Sequence, residues 1–135
     1  MTILTSDGNR SVDFGSASIC HSLYSTIVGR IQGAKEKYPL AVSFLENNSC
    51  KAKDAAATAD QLRILHMQLS TIKADEAIYD INNPGKKAPW SGFIHPSITT
   101  CANLYTTEDG HDLITELISL LEYASMEKKD IIPCY

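Results

Sequence analysis

The sequence lacks several features that would define a class of protein at once. It contains no apolar run near the ~20 residues of a membrane-spanning helix, and its start, MTILTSDGNRSVDF, has no signal-peptide core. Only 7% of the residues are aromatic, and no GxSxG, GxGxxG or Walker loop occurs. We therefore expect a cytoplasmic protein that stays out of membranes and carries no recognisable catalytic or nucleotide-binding motif.

The cysteines are too scattered to predict a metal site or a disulfide framework. Cys20, Cys50, Cys101 and Cys134 form no CxxC pair and no Cys/His cluster at zinc spacing. Cys20 is followed by His21, but adjacent residues on a helix point in different directions. The sequence predicts reduced, partly buried thiols, no metal and no cofactor.

Negative charge is concentrated in the last quarter of the chain. The net charge is −4, and residues 1–50 are balanced while residues 51–100 carry a net +1. Residues 101–135 carry seven acids against Lys128 and Lys129, a net of −5. This distribution disfavours nucleic acid as a direct ligand and suits a basic protein partner. The plainer interpretation is a solvated helix face without a partner.

Three segments have the apolar spacing of amphipathic helices. The first begins after Ser16, a good N-cap, and repeats apolar residues every four positions at Ile19, Leu23, Ile27 and Ile31. The second covers about residues 54–72. The third runs from about residue 109 or 110 to residue 126, and Asp109 and Asp112 near its start complement the helix dipole.

Short β-prone runs accompany these helices. They are Thr2–Leu4, Ser11–Phe14, Ala77–Ile81, Ala102–Thr107 and, as an edge strand or a packed tail, Ile131-Ile132. Residues 38–48 fit either a short strand or a short helix, and residues 86–100 form a long loop. Together the elements predict an α+β fold with about three helices packed on a small sheet, in a single domain over residues 1–135.

The candidate catalytic side chains form no defensible constellation. His21 and His66 fall inside helices and are interpreted as structural. His95, His111 and Asp112 leave one alternative open, a small enzyme or ligand-binding domain. Trp90, the only tryptophan, is either a plug over the core or an exposed anchor. A further alternative is a homo-oligomeric module that uses Trp90 and the third helix in a symmetric interface.

The order of several segments resembles one protein family. These segments are DFGSASICHSLYSTIVGRI, YPLAVSFLEN, DQLRILHMQLSTIKADEAIYDI, APW and LYTTEDGHDLITEL. Over roughly residues 12–125 the chain resembles the bacterial polymorphic-toxin immunity proteins of immunity protein family seventy.

The resemblance implies a non-enzymatic antidote of the kind found in contact-dependent growth inhibition. Such a protein stays in the cytoplasm of the producing cell, binds the C-terminal domain of its cognate toxin and blocks the active site. We expect that toxin domain to be basic and nuclease-like, with a ribonuclease as the narrower expectation. The hypothesised partner-binding residues are Glu108, Asp109, Asp112, Glu116 and Trp90.

Overall fold

The protein has six helices and a three-stranded antiparallel sheet within the residues that the structure, a computed structural model, describes: 1–90, 92 and 94–134. This arrangement confirms the predicted α+β class. The strands are β1 (Thr2–Thr5), β2 (Ser11–Asp13) and β3 (Ile131–Cys134). The helices are α1 (Ala17–Arg30), α2 (Ala34–Lys37), α3 (Pro39–Asn47), α4 (Ala52–Leu69), α5 (Cys101–Leu104) and α6 (Leu113–Glu127).

The three predicted long helices correspond to α1, α4 and α6. Ser16 is the N-cap residue of α1, and the Asp112 carboxylate caps α6 by accepting the Thr115 backbone N–H at 2.9 Å. Helices α4 and α6 pack against each other along their apolar faces. Their fully buried side chains include Leu62, Leu65, Leu69, Leu113, Leu117 and Leu121. This leucine-rich contact is the centre of the hydrophobic core.

The sheet has the order β2-β1-β3. The two β-prone runs at the start of the chain pair antiparallel as β1 and β2, and the C-terminal strand β3 lies at one edge. Ile3 pairs with Val12 on one side and with Pro133 on the other. Residues 38–48, whose pattern fits strand or helix, form α3, which begins with Pro39 in its first turn.

The prediction of a strand at Ala77–Ile81 is wrong. A 3-10 turn (Ala74–Glu76) leads into this segment, which has no strand partner. Polar side chains of α1 replace that partner. Thr26 Oγ1 accepts the Ile78 N–H at 2.9 Å, Ser22 Oγ donates to the Ile78 carbonyl at 2.8 Å, and Ser25 Oγ accepts the Ile81 N–H at 3.1 Å. The Ile78 N–H and carbonyl and the Ile81 N–H are therefore hydrogen-bonded without a sheet.

The prediction of a strand at Ala102–Thr107 is also wrong. Its first residues belong to α5, which a capping box between Thr100 and Asn103 begins. After α5 the chain is extended at Tyr105, and only Thr106 forms an isolated bridge, with Asp112. The capping box starts a helix at the beginning of the segment, and a turn begins at Thr107, at its end. The segment therefore does not pair as a strand.

Tyr105 joins this segment to α1 inside the protein. Its side chain is 1% exposed, and its hydroxyl lies 3.0 Å from Ser22 Oγ and 2.8 Å from Thr26 Oγ1. Burial raises the pKa of the Tyr105 phenol to about 12, so the hydroxyl stays protonated and available to this network. We call these three hydroxyls, with the Ile78 backbone, the polar centre.

Tyr105→Phe should lower the free energy of unfolding by about 1–3 kcal/mol, because two buried hydroxyls lose a shared partner. Urea denaturation of the purified protein measures this loss. The matched control is Tyr123→Phe, since the Tyr123 hydroxyl makes only an exposed 3.5 Å contact with Asp7. That variant should change stability by less than about 0.5 kcal/mol. Equal effects of the two substitutions would contradict a special role for Tyr105.

Candidate functional site

A tight turn between α5 and α6 brings acidic residues against the sheet. Within it, the Thr107 N–H donates to the His111 carbonyl at 2.8 Å, and Thr107 Oγ1 accepts the His111 N–H at 3.1 Å. The turn is attached to the edge of β2, because the Glu108 N–H donates to the Asp13 carbonyl at 2.9 Å. Gly15, at φ +81, leaves room for the Glu108 carboxylate, which a Cβ at that position would meet.

This attachment forms a groove of about 350 Å³ between β2 and the start of α6. We call it the acidic groove. It is lined by Ser11, Val12, Asp13, Thr107, Glu108, Asp109, His111 and Glu116. Four carboxylates and no lysine or arginine line it, and one of the four, Asp13, lies 3.7 Å from the N-terminal ammonium. The lining is therefore net negative, which favours a cationic partner. Asp13 is a member that sequence reasoning missed, since it lies in a charge-balanced part of the chain.

The turn also lowers the pKa of one of these carboxylates, Asp109. The Thr107 hydroxyl donates to Asp109 Oδ1, and this hydrogen bond lowers the pKa of Asp109 below its ordinary value of 3.8. Asp109 is therefore ionised at any pH near neutrality. His111, predicted to lie in the first turn of the third helix, precedes α6 and has Nε2 3.4 Å from Asp109 Oδ2.

Asp112 is engaged away from the acidic groove. One carboxylate oxygen caps α6, and the other lies 3.5 Å from the buried Nε2 of His66 on α4. That separation is too long for a good hydrogen bond. Of the four predicted acidic residues, the groove therefore unites Glu108, Asp109 and Glu116, while Asp112 holds the start of the helix.

Trp90 lines a different cavity, of about 520 Å³, between the end of α1 and the loop that follows residue 77. Its side chain is half-buried and packs on the core, with ring centroids 5.7 Å from Tyr79 and 6.3 Å from Tyr105 in edge-to-face geometry. We call this space the aromatic cavity. It shares no lining residue with the acidic groove, so Trp90 and the acids are separate surfaces.

His95, His111 and Asp112 do not meet as a site. His95 Nδ1 is occupied by Ser97 within its own turn, at 2.7 Å from Oγ and 3.1 Å from the backbone nitrogen. In the part of the chain that the structure describes, no three His, Cys, Asp or Glu side chains converge as metal ligands. In that same part, no helix is both long and apolar enough to cross a membrane.

Both edges of the sheet are obstructed. At β3, Ile131 exchanges two backbone hydrogen bonds with Cys50, at 3.1 and 2.8 Å, so its polar groups point away from β1. Pairing alternates along a strand, so the next outward position is Pro133, which has no N–H. At β2, the Asp13 carbonyl already accepts Glu108. These contacts disfavour extension of the sheet by a strand of a partner and favour contact through side chains.

Comparison with known proteins gives the class and then the family. The fold is a small α+β domain with two separate candidate binding surfaces, the acidic groove and the aromatic cavity. A family model described as Immunity protein 70 matches residues 6–132, and the chain belongs to this family. No curated protein and no solved structure matches the chain. Family membership implies a cognate toxin as the partner.

Thr107→Val should raise the pKa of Asp109 toward 3.8, because the hydroxyl that holds the carboxylate ionised is removed. A lowered folded-state pKa contributes stability that is present above pH ~3.8 and is lost as the pH falls through the folded value. The variant should therefore lose less stability on acidification. Carboxyl ¹³C NMR titration gives the pKa, and Thr99→Val, at an exposed position outside the groove, is the control. An unchanged Asp109 pKa would contradict the assignment.

The thiol beside His21 should be inert. Burial raises the pKa of Cys20 to about 12 and that of Cys101 to about 11, so neither forms the nucleophilic thiolate at neutral pH. Cys134 is exposed. The partly buried Cys50 also has its thiol pKa raised by burial. At pH ~8 Cys134 should therefore react fastest with a disulfide reagent such as DTNB, and Cys134→Ser should abolish the fast phase. Fast labelling of Cys20 in the native protein would contradict this prediction.

Proposed function

We propose that this protein neutralises a cognate toxin by binding the toxin's C-terminal domain and blocking its active site. Membership of the Immunity protein 70 family is the observation that carries this proposal. The protein acts in the cytoplasm of the producing cell, against a polymorphic toxin delivered between neighbours by contact-dependent inhibition. It acts by binding, without catalysis, and it needs no cofactor.

We place the toxin contact at the acidic groove. Asp13, Glu108, Asp109 and Glu116 present four carboxylates on one concave surface, with no lysine or arginine in its lining. A surface of one sign attracts a partner of the opposite sign and accelerates encounter. The active cleft of a nuclease is basic because it binds phosphates. A nuclease domain, in the narrower case a ribonuclease, therefore fits this groove.

Hydrogen bonds hold the backbone that carries the carboxylates of the groove. The turn carrying Glu108 and Asp109 is closed by Thr107 and joined to β2 by backbone hydrogen bonding. Glu116 is held on the first turn of α6, and Asp112 fixes the beginning of that helix. A backbone held in place before binding reduces the conformational entropy lost on binding, which favours slow dissociation. Because the sheet edges are obstructed, these side chains are the means of contact that we propose.

Glu108→Lys with Glu116→Lys should abolish protection of cells that express the neighbouring toxin domain. Asp109 and Asp112 are left unchanged because they hold the turn and the helix start. We expect at least a roughly tenfold slower association with the toxin domain, and a weaker dependence of association on salt. Surface plasmon resonance at two salt concentrations measures both, alongside growth of the expressing cells.

The matched control is Glu46→Lys with Glu127→Lys, which changes the net charge equally at exposed positions outside the groove. The control should protect like the unaltered protein. If the groove variant also protects fully while remaining folded, the groove is not the contact surface. If the unaltered protein neither binds nor protects, the immunity function itself is wrong for this toxin.

A further inference from the structure

We infer that the aromatic cavity is a second recognition site for the toxin, one that receives an apolar side chain next to a carboxylate. This inference rests on the proposed function and adds a contact of opposite charge to the acidic groove. The cavity of about 520 Å³ lies within the range of pockets that bind small ligands. Such a volume accommodates an aromatic or branched aliphatic side chain with room for its neighbour.

Two walls of the cavity, Ile78 and Trp90, are held by contacts within the protein. Ile78 forms one wall, and the Thr26 and Ser22 hydroxyls hydrogen-bond to its backbone. Gly29 of α1 has no Cβ, and the Ile78 Cδ1 occupies the place where a Cβ would lie. Trp90 forms a further wall and is braced edge-on by Tyr79. A preformed apolar pocket binds without the cost of ordering its walls.

Positive charge at the rim favours an inserted side chain that has a carboxylate beside it. Lys86 and Lys87 line the cavity, and the Lys86 ammonium lies 5.6 Å from the centroid of the Tyr79 ring. Neither lysine forms an ion pair within the described residues. The lining holds three basic residues, Arg30, Lys86 and Lys87, and two carboxylates, Asp75 and Asp80. The Asp80 carboxylate is already hydrogen-bonded to His21 at 2.9 Å. With three bases against two acids the lining has a net positive charge, which complements a carboxylate beside the inserted group.

The position of the cavity allows one partner to contact both surfaces. Helix α1 starts next to Gly15, which touches Glu108 of the groove, and ends at Gly29 and Arg30, which line the cavity. A helix of this length spans about 20 Å, less than the diameter of a small domain. Two contacts of opposite charge fix the orientation of a partner and reject one that carries the wrong charge at either end.

The rim is tested with Lys86→Glu and Lys87→Glu in the full chain, against the toxin domain encoded beside it. Affinity should fall by roughly ten- to hundredfold, because like charges then face each other. Lys35→Glu with Lys37→Glu, on α2, makes the same charge change away from the cavity and should leave the affinity unchanged.

The volume of the cavity is tested with Ala88→Phe, which places a ring in the space that the inserted side chain would fill. It should weaken binding by at least roughly tenfold while thermal unfolding stays unchanged. Ala56→Phe, at an exposed position on α4, is its control and should bind normally.

Trp90 also gives a direct readout, since it is the only tryptophan. Binding of the toxin domain, with its own tryptophans replaced, should change the Trp90 fluorescence, and Ala88→Phe should remove that change. If the cavity variants bind normally while Glu108→Lys with Glu116→Lys does not, the cavity inference is wrong and the proposed function stands. If the unaltered protein forms no complex, both fail.

Discussion

The polar centre is the constraint on which the rest of the structure depends. A buried hydroxyl costs stability unless it is hydrogen-bonded, and Tyr105, Ser22 and Thr26 satisfy one another while also holding the Ile78 backbone. These hydrogen bonds hold the irregular segment Ala77–Ile81 against α1 without any sheet pairing. The same Tyr105 braces Trp90 through its ring and accepts the Leu113 N–H at 3.1 Å through its carbonyl. Tyr105 therefore contacts both the Trp90 wall of the aromatic cavity and the start of α6.

Sequence periodicity predicted the long helices because a buried apolar stripe is a strong signal. It failed at Ala77–Ile81, where β-prone composition predicted a strand although the partners are side chains. Composition reports only the local preference of residues for strand or helix. The segment Ala77–Ile81 is instead held by α1, which lies far from it in the sequence. The sequence did contain a usable signal. Ser25 and Thr26 lie three and four positions after Ser22, beside the apolar stripe of α1. Hydroxyls on a buried helix face imply that some backbone needs hydrogen bonds there.

The site was predictable in charge but not in membership. Counting charges along the chain located the acids of residues 101–135, because local charge density needs no fold. Which acids share a groove depends on the turn that docks on β2, a contact made between segments nearly a hundred residues apart. That contact adds Asp13 to the groove, while Asp112 caps α6 elsewhere. Spacing along a chain could not separate a carboxylate that lines the groove from one that caps a helix.

The division between interior and surface has a consequence for specificity. The groups that hold the fold, such as Tyr105 and the leucines of α4 and α6, are buried, whereas Glu108, Lys86 and Lys87 are exposed. Substitutions at exposed positions outside caps and networks change stability little. The charge of the groove and of the cavity rim is therefore free to change while the framework stays intact. An immunity protein that must match one toxin and reject others requires this separation, since specificity is a difference between affinities and not a property of the fold.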